Sequence, residues 1–165
     1  MIPVVSFVGK SNAGKTTLLE KVILLLKQKG YRIATVKHNA HEFEMDRPGK
    51  DTWRHAKAGA DTVIIAAPTK LALIRRLERP MSLDEILAMV DDVDLIITEG
   101  YKRGDKPKIE VFRSEVCEKL LCCADDKLIA VASDVKLERE VPCFDLNDAA
   151  GITGFIEETF LTVQR

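Results

Sequence analysis

The stretch "SFVGKSNAGKTTLLEK", residues Ser6 to Lys21, decides how the rest of the chain is read. It follows an apolar run, Val4 to Val8, that has the length and character of a buried strand. Residues 9 to 16 then read Gly-Lys-Ser-Asn-Ala-Gly-Lys-Thr, which matches G-x-x-x-x-G-K-[ST] in full. From Lys15 to Lys29 apolar residues fall at Leu18, Leu19, Val22, Ile23, Leu25 and Leu26, a helical stripe stopped by Gly30. A glycine-rich turn between strand and helix lets successive backbone N–H groups point inward at an anion. The helix beginning at Lys15 adds the positive end of its dipole. Gly9, Asn12, Ala13 and Gly14 form the cradle, Lys15 reaches the β- and γ-phosphates, and the Thr16 hydroxyl ligates Mg²⁺. Thr17 offers a hydroxyl or N–H to an α-phosphate.

Outward from the loop, strands and helices alternate. A second strand is expected over Arg32 to Val36, then an irregular polar segment from Lys37 to Lys50. A short helix follows over Asp51 to Ala58. Two strands, Asp61 to Ala66 and Lys70 to Ile74, flank a turn at Pro68. Ser82 with Glu85 three residues later forms a capping box at a helix start. Val93 to Gly100, "VDLIITEG", is an apolar strand ending on an acid and a glycine. Strands over Lys108 to Phe112, Leu128 to Ala132 and Cys143 to Leu146 follow, and Asn147 or Asp148 caps a last helix. Strands apolar on both faces and alternating with helices imply an α/β sandwich, its mainly parallel sheet flanked by helices. The expected architecture is a three-layer P-loop NTPase fold with an added antiparallel hairpin or edge, in a single domain spanning residues 1–165.

Composition narrows the class. The 165 residues carry 25 Lys and Arg against 26 Asp and Glu, a net charge of −1, so no global field draws in nucleic acid. No apolar run approaches the ~20 residues that span a bilayer, and no basic-then-apolar leader opens the sequence. A cytoplasmic protein without a membrane or nucleic-acid partner is expected. Cys117, Cys122, Cys123 and Cys143 show no CxxC spacing and read as reduced structural thiols, with adjacent Cys122 and Cys123 the pair open to oxidation.

A phosphate cradle needs a second acidic element to hold the metal or orient water. Glu99 fills this role at the carboxyl end of its strand, where parallel sheets bind ligands. Asp46 and Asp51, in and after the polar segment, are candidates to assist the Mg²⁺; Asp51 is also a candidate helix cap. Asp134, in "VASDV" just beyond a late strand, is either the carboxylate that reads the N1–H and N2–H₂ edge of guanine or an ordinary turn residue.

Four stretches occur in order: "GKSNAGKTT", "VKH" (Val36 to His38), "DRPGKDTWRHAKAGA" (Asp46 to Ala60) and "TEGYK" (Thr98 to Lys102). Together they closely resemble the molybdopterin-guanine dinucleotide biosynthesis protein B family, P-loop proteins of the GTPase class. The likeness covers roughly the first two thirds of the chain. It implies GTP binding with Mg²⁺, weak hydrolysis, a homodimer, and partnership with molybdopterin or the molybdenum cofactor and the guanylyltransferase that attaches GMP. By position it implies that Lys15 and Thr16 hold phosphate and Mg²⁺, that Glu99 is the strand-end acid, and that Lys37, His38, Asp46, Asp51 and Lys102 line the crevice.

Other features have plainer readings. His41 and His55 are expected at the surface and Trp53 in packing. Arg75, Arg76 and Arg79 form a basic cluster that is either a solvated edge or an anion site. Lys102, Arg103, Lys106 and Lys108 read as a second basic loop beside the phosphates. Besides a slow GTPase, a non-catalytic adapter that presents nucleotide or cofactor, and a small-molecule kinase, fit the same loop.

Overall fold

Eight strands and four helices carry out the expected alternation in the computed structural model, which describes residues 1–39, 41–122 and 127–162. Contacts divide the chain into two units, Met1–His38 with Leu87–Arg165, and Asn39–Ile86.

The first unit is built on a six-stranded sheet. β1 (Val4–Val8), β2 (Ile33–Lys37), β5 (Leu95–Glu99), β6 (Lys108–Phe112), β7 (Leu128–Ser133) and β8 (Cys143–Asp145) stand in the order β2-β5-β1-β6-β7-β8. All neighbouring strands in this sheet are parallel. Register places Phe7 opposite Glu99 on one side and Ile109 on the other. The order puts β1 at the centre, so the loop that leaves it emerges at mid-edge, between the ends of β5 and β6.

One face of the sheet is apolar. Val5 and Phe7 of β1, Leu95 and Ile97 of β5, Ile109 and Val111 of β6 and Ala130 of β7 form a continuous core. Leu18, Val22 and Leu26 of α1 (Lys15–Gln28) and Ile152 and Ile156 of α4 (Ala149–Ile156) belong to the same core, and these two helices pack on each other. Burying such side chains contributes about 1.5–3 kcal/mol each, which outweighs any propensity difference within α1. The α1 stripe ends as expected: Gly30 takes φ 91° and its N–H returns to Lys27 O. α4 is capped by Asp148, whose Oδ1 accepts from Gly151 N at 2.8 Å, and the chain continues as a π-helical segment, Glu157–Leu161.

Side chains on a strand alternate between faces, and the opposite face carries Ser6, Thr98, Lys108 and Glu110, all buried. Each is satisfied rather than left to pay for desolvation. Thr98 Oγ1 donates to Ser6 Oγ at 2.7 Å, tying β5 to β1. Lys108 Nζ donates to Gly104 O at 2.6 Å, and Glu110 accepts from Leu121 N at 2.6 Å and Cys122 N at 2.8 Å. The connections after β5 and β6 are thereby held to the sheet. Lys108 consequently leaves the basic loop to which its sequence neighbours assign it: it is 1% exposed and serves the sheet.

In the second unit α2 (Asp51–Lys57) packs on β3 (Thr62–Ala67), which pairs antiparallel with β4 (Lys70–Arg75) across the turn at Pro68. The hairpin is a separate two-stranded sheet. The capping box forms as expected, with Ser82 N donating to Glu85 Oε2 at 2.7 Å and Glu85 N to Ser82 Oγ at 3.2 Å. The helix it opens, α3 (Leu83–Leu87), has only five residues. Trp53 is half-buried, with Lys57 Nζ 5.5 Å from its ring centroid, and His41 and His55 are exposed.

Candidate nucleotide-binding site

Glycines 9 and 14 show why the loop needs its residue types. Gly9 has φ 147°, and a Cβ there would lie 2.4 Å from Val111 O on the neighbouring strand. The backbone can pass β6 only without a side chain. Gly14 takes φ 97° at the start of α1, and Asn12 reaches φ 64°, a conformation that short polar side chains tolerate. Ala13 is fully buried, so the loop is anchored in the core at one point while Thr16 and Thr17 stay exposed.

Lys15 folds back over its own loop. Its Nζ donates to Gly9 O at 3.2 Å and Lys10 O at 2.6 Å. Burial holds its ammonium below the ordinary lysine value, and the charges of Lys102 and Lys37 act in the same direction while Glu99 opposes them. Glu99 is the hub of this cluster. Thr16 Oγ1 donates to its Oε1 at 3.1 Å, and Lys37 Nζ lies 3.5 Å from its Oε2. The end of β5, the end of β2 and the head of α1 therefore converge, bringing Lys15, Thr16, Lys37 and Glu99 together. Three lysines around a single carboxylate leave an excess of positive charge suited to a polyphosphate.

His38 and Lys102 come to the same end of the sheet by way of a tight turn. His38 N donates to Glu99 O at 2.9 Å, and its ring lies 5.0 Å from that of Tyr101. Gly100, at φ 103°, brings the position of a Cβ to 3.0 Å from His38 Cβ, while Tyr101 adopts φ 53°. Burial pushes the Tyr101 hydroxyl up from its ordinary value. The aromatic pair had no signal in the sequence beyond the presence of its two members.

The two acids of the second unit differ. Asp46 Oδ1 accepts from Arg47 N at 2.8 Å, and its buried Oδ2 has no hydrogen-bond partner among the described residues. A buried carboxylate oxygen left without a donor is costly, and a cation would satisfy it. Asp51 is not the cap that its position allowed: Lys50 stands at the N-cap, and Asp51 is the first helical residue, exposed and 3.9 Å from Arg54. It complements the helix dipole from within the first turn. Among the described residues, no three His, Cys, Asp or Glu side chains gather as a metal cluster. Mg²⁺ bound through one hydroxyl, one or two carboxylates and phosphate oxygens requires none.

Asp134 lies directly after β7, and both its oxygens are engaged. Ser114 N donates to Oδ1 at 2.8 Å and Ser114 Oγ to Oδ2 at 3.0 Å. The backbone N–H of Ser114 is the main reason its carboxyl is held below the usual range. Arg113, missed in the sequence, stands beside it with its Nη2 3.2 Å from where a Cβ on Gly14 would be. Its signal was available: it is the first residue past a buried strand, on the same edge as Glu99. Cys117 and Cys122 are buried and Cys143 is exposed, whereas Cys123 lies outside the described residues.

A central parallel strand, a glycine loop that only glycine allows past its neighbour, and a lysine and threonine opening the next helix define an α/β protein of the P-loop NTPase type. The family described as molybdopterin guanine dinucleotide synthesis protein B matches residues 4–134, and the chain belongs to that family. The molybdopterin-guanine dinucleotide biosynthesis adapter protein of Escherichia coli is 38% identical over 165 residues, 96% of this chain and 93% of that one. Its counterpart in Haemophilus influenzae is 37% identical over 158 residues, covering 94% and 88%. A crystal structure of a molybdopterin-guanine biosynthesis protein B, 33% identical, aligns over 94% of this chain and 98% of its own with a TM-score of 0.75. At 24% identity, the Bacillus subtilis MobB structure shares the fold, with a TM-score of 0.78. Among the described residues no helix is long and apolar enough to cross a membrane.

Proposed function

We propose that the chain is a GTP- and Mg²⁺-binding adapter in molybdopterin-guanine dinucleotide biosynthesis, turning GTP over slowly. The observation that carries this reading is the convergence of Lys15, Thr16, Lys37 and Glu99 at the mouth of the glycine loop. In it Lys15 trades the Gly9 and Lys10 carbonyls for β- and γ-phosphate oxygens, and Thr16 turns from Glu99 to Mg²⁺. The metal, when bound, neutralises charge on the phosphates. Glu99 would help hold the metal and keeps Lys37 oriented. Of the two acids in the second unit, Asp46, whose Oδ2 has no hydrogen-bond partner among the described residues, is the better suited to a cation. Guanine choice is assigned to Asp134, and the adapter role comes from the family and the relatives' names.

Slow turnover is part of the proposal through the family resemblance; in the structure the two Glu99 oxygens face the Thr16 hydroxyl and the Lys37 ammonium. A kinase on this scaffold would need a lid of arginines such as Arg75, Arg76 and Arg79. Arg79 is instead bound to Glu85 by Nη2 at 2.6 Å and Nη1 at 3.2 Å, which counts against that alternative. The partners proposed are the molybdopterin guanylyltransferase, the molybdenum cofactor and a second copy of this chain. Hairpin residues Ile64, Leu71 and Leu73, which share one face, are exposed, and a two-stranded hairpin is marginal by itself. The deciding experiment measures Mg²⁺-dependent binding and turnover of GTP and ATP, with and without the guanylyltransferase. Tight GTP binding, slow hydrolysis and loss of hydrolysis in Glu99→Gln with binding retained are expected. Preference for ATP, or fast transfer to a small acceptor, would reject the proposal.

A further inference from the structure

The edge of the sheet at which the loop emerges has two sides. On the β5 side lie Glu99, Lys15, Lys37 and Lys102, the groups proposed for the terminal phosphates and metal. On the β6 side lie Arg113 and Asp134, each the residue directly after its strand. Phe112 and Ser133, which precede them, are register partners, so Arg113 and Asp134 stand side by side. A nucleotide laid along this edge with its terminal phosphate by Glu99 passes over Gly14 before its base reaches Asp134.

Resting on the GTP reading above, we propose that Arg113 is a nucleotide-binding residue whose guanidinium contacts the nucleoside end, ribose and base, between Gly14 and Asp134. Three observations carry this. First, Arg113 Nη2 packs against Gly14, as close as 3.2 Å to the site a Cβ would fill. Second, the segment that carries Arg113 is fixed. Val116 N and Cys117 N both donate to Arg113 O, at 3.1 and 2.9 Å, and Ser114 is held twice by Asp134. The guanidinium is thus presented from a rigid stem. Third, the side chain is half-buried, yet among the described residues no carboxylate lies within 4.0 Å of its nitrogens. The charge of Arg113 acts on Asp134 beside it, and the fork and flat face of its guanidinium are suited to the oxygens of a sugar and the plane of a base.

The position also separates two roles that an arginine on a phosphate loop can play. If Arg113 only shaped the loop, every polyphosphate would feel its loss. If it touches the nucleoside end, an inorganic polyphosphate will not. The test measures GTP, GDP and tripolyphosphate affinity by calorimetry for the unaltered protein and for Arg113→Ala, with thermal melting of both. GTP and GDP are expected to weaken by a similar factor, about tenfold, while tripolyphosphate stays within about twofold. Unchanged nucleotide affinity, a parallel loss of tripolyphosphate, or a loss confined to GTP each overturns the proposal. Failure of the unaltered protein to bind nucleotide would instead bring down the GTP reading, and Arg113 with it. Should Arg113→Ala melt early, Arg113→Lys keeps the stem over Gly14 and removes the fork, and the same comparison is made on it.

Discussion

Lys15 sums up the site at the scale of one residue. Partly withdrawn from water and beside two other lysines, it carries a charge that burial disfavours, offset by Glu99 and two carbonyls. In the proposed function an incoming polyphosphate would supply what the loop lacks. Lys15→Ala is expected to weaken GTP binding by about 10- to 100-fold, the range of a charge-assisted hydrogen bond, with little change in melting temperature. Isothermal calorimetry checks it, and undiminished affinity would remove the lysine from the cradle. Gly9→Ala acts differently. A methyl 2.4 Å from Val111 O cannot be accommodated without moving a strand of the core. It should cost about 2 kcal/mol or more in urea unfolding and reduce nucleotide binding at the same time. Both residues were legible in the sequence because the spacing of G-x-x-x-x-G-K-[ST] is local: the same eight residues make the turn and its chemistry. Arg113 and the His38–Tyr101 pair were not, since their meaning depends on strands far apart in sequence.

The elements divide the same way. α1 and the core strands follow from short-range pattern, and their ends fall within one or two residues of expectation. The capping box at Ser82 was likewise readable, and it makes a pH-dependent claim. Hydrogen bonds from Arg79, then from Ser82, hold the Glu85 carboxyl down at about 2, against an ordinary 4.5. A group depressed on folding stabilises above its unfolded value and loses that contribution as pH falls through its folded one. The cap of α3 should therefore persist at pH 5 and be lost in the window from about 4.5 down to about 2. Carbon-detected NMR titration of Glu85 checks this, and a midpoint near 4.5 would deny the bonds. Asp51 shows the limit of such reading. Cap and first-turn acid differ by one residue, and the structure gives the cap to Lys50. Lys108 shows it more sharply: the sequence places it both at the head of a strand and in the basic run beside the phosphates, and register takes it out of that run by burying it opposite Ser6.

For the whole molecule, the exposed apolar face of the hairpin bears on assembly. Ile64 is 56% exposed and Leu71 66%, so the area available to a partner is substantial. If a second copy covers it, Leu71→Glu should shift the protein from dimer to monomer in sedimentation equilibrium while leaving GTP binding intact. An unaltered dimer would place the interface elsewhere.

By itself the sequence determined the phosphate loop, the parallel α/β class, the acid at the end of β5 and the family, because each rests on residues close together along the chain or on strands that announce themselves by being apolar. Only the tertiary structure decided that Lys37 and Thr16 share Glu99, that Lys108 and Glu110 work inside the sheet, that Asp46 keeps an unsatisfied oxygen, and that Arg113 stands over Gly14. These follow from strand order and register, and the order β2-β5-β1-β6-β7-β8 is set by how the apolar faces of all six strands bury together, a sum over contacts between distant residues that no single segment of the chain contains.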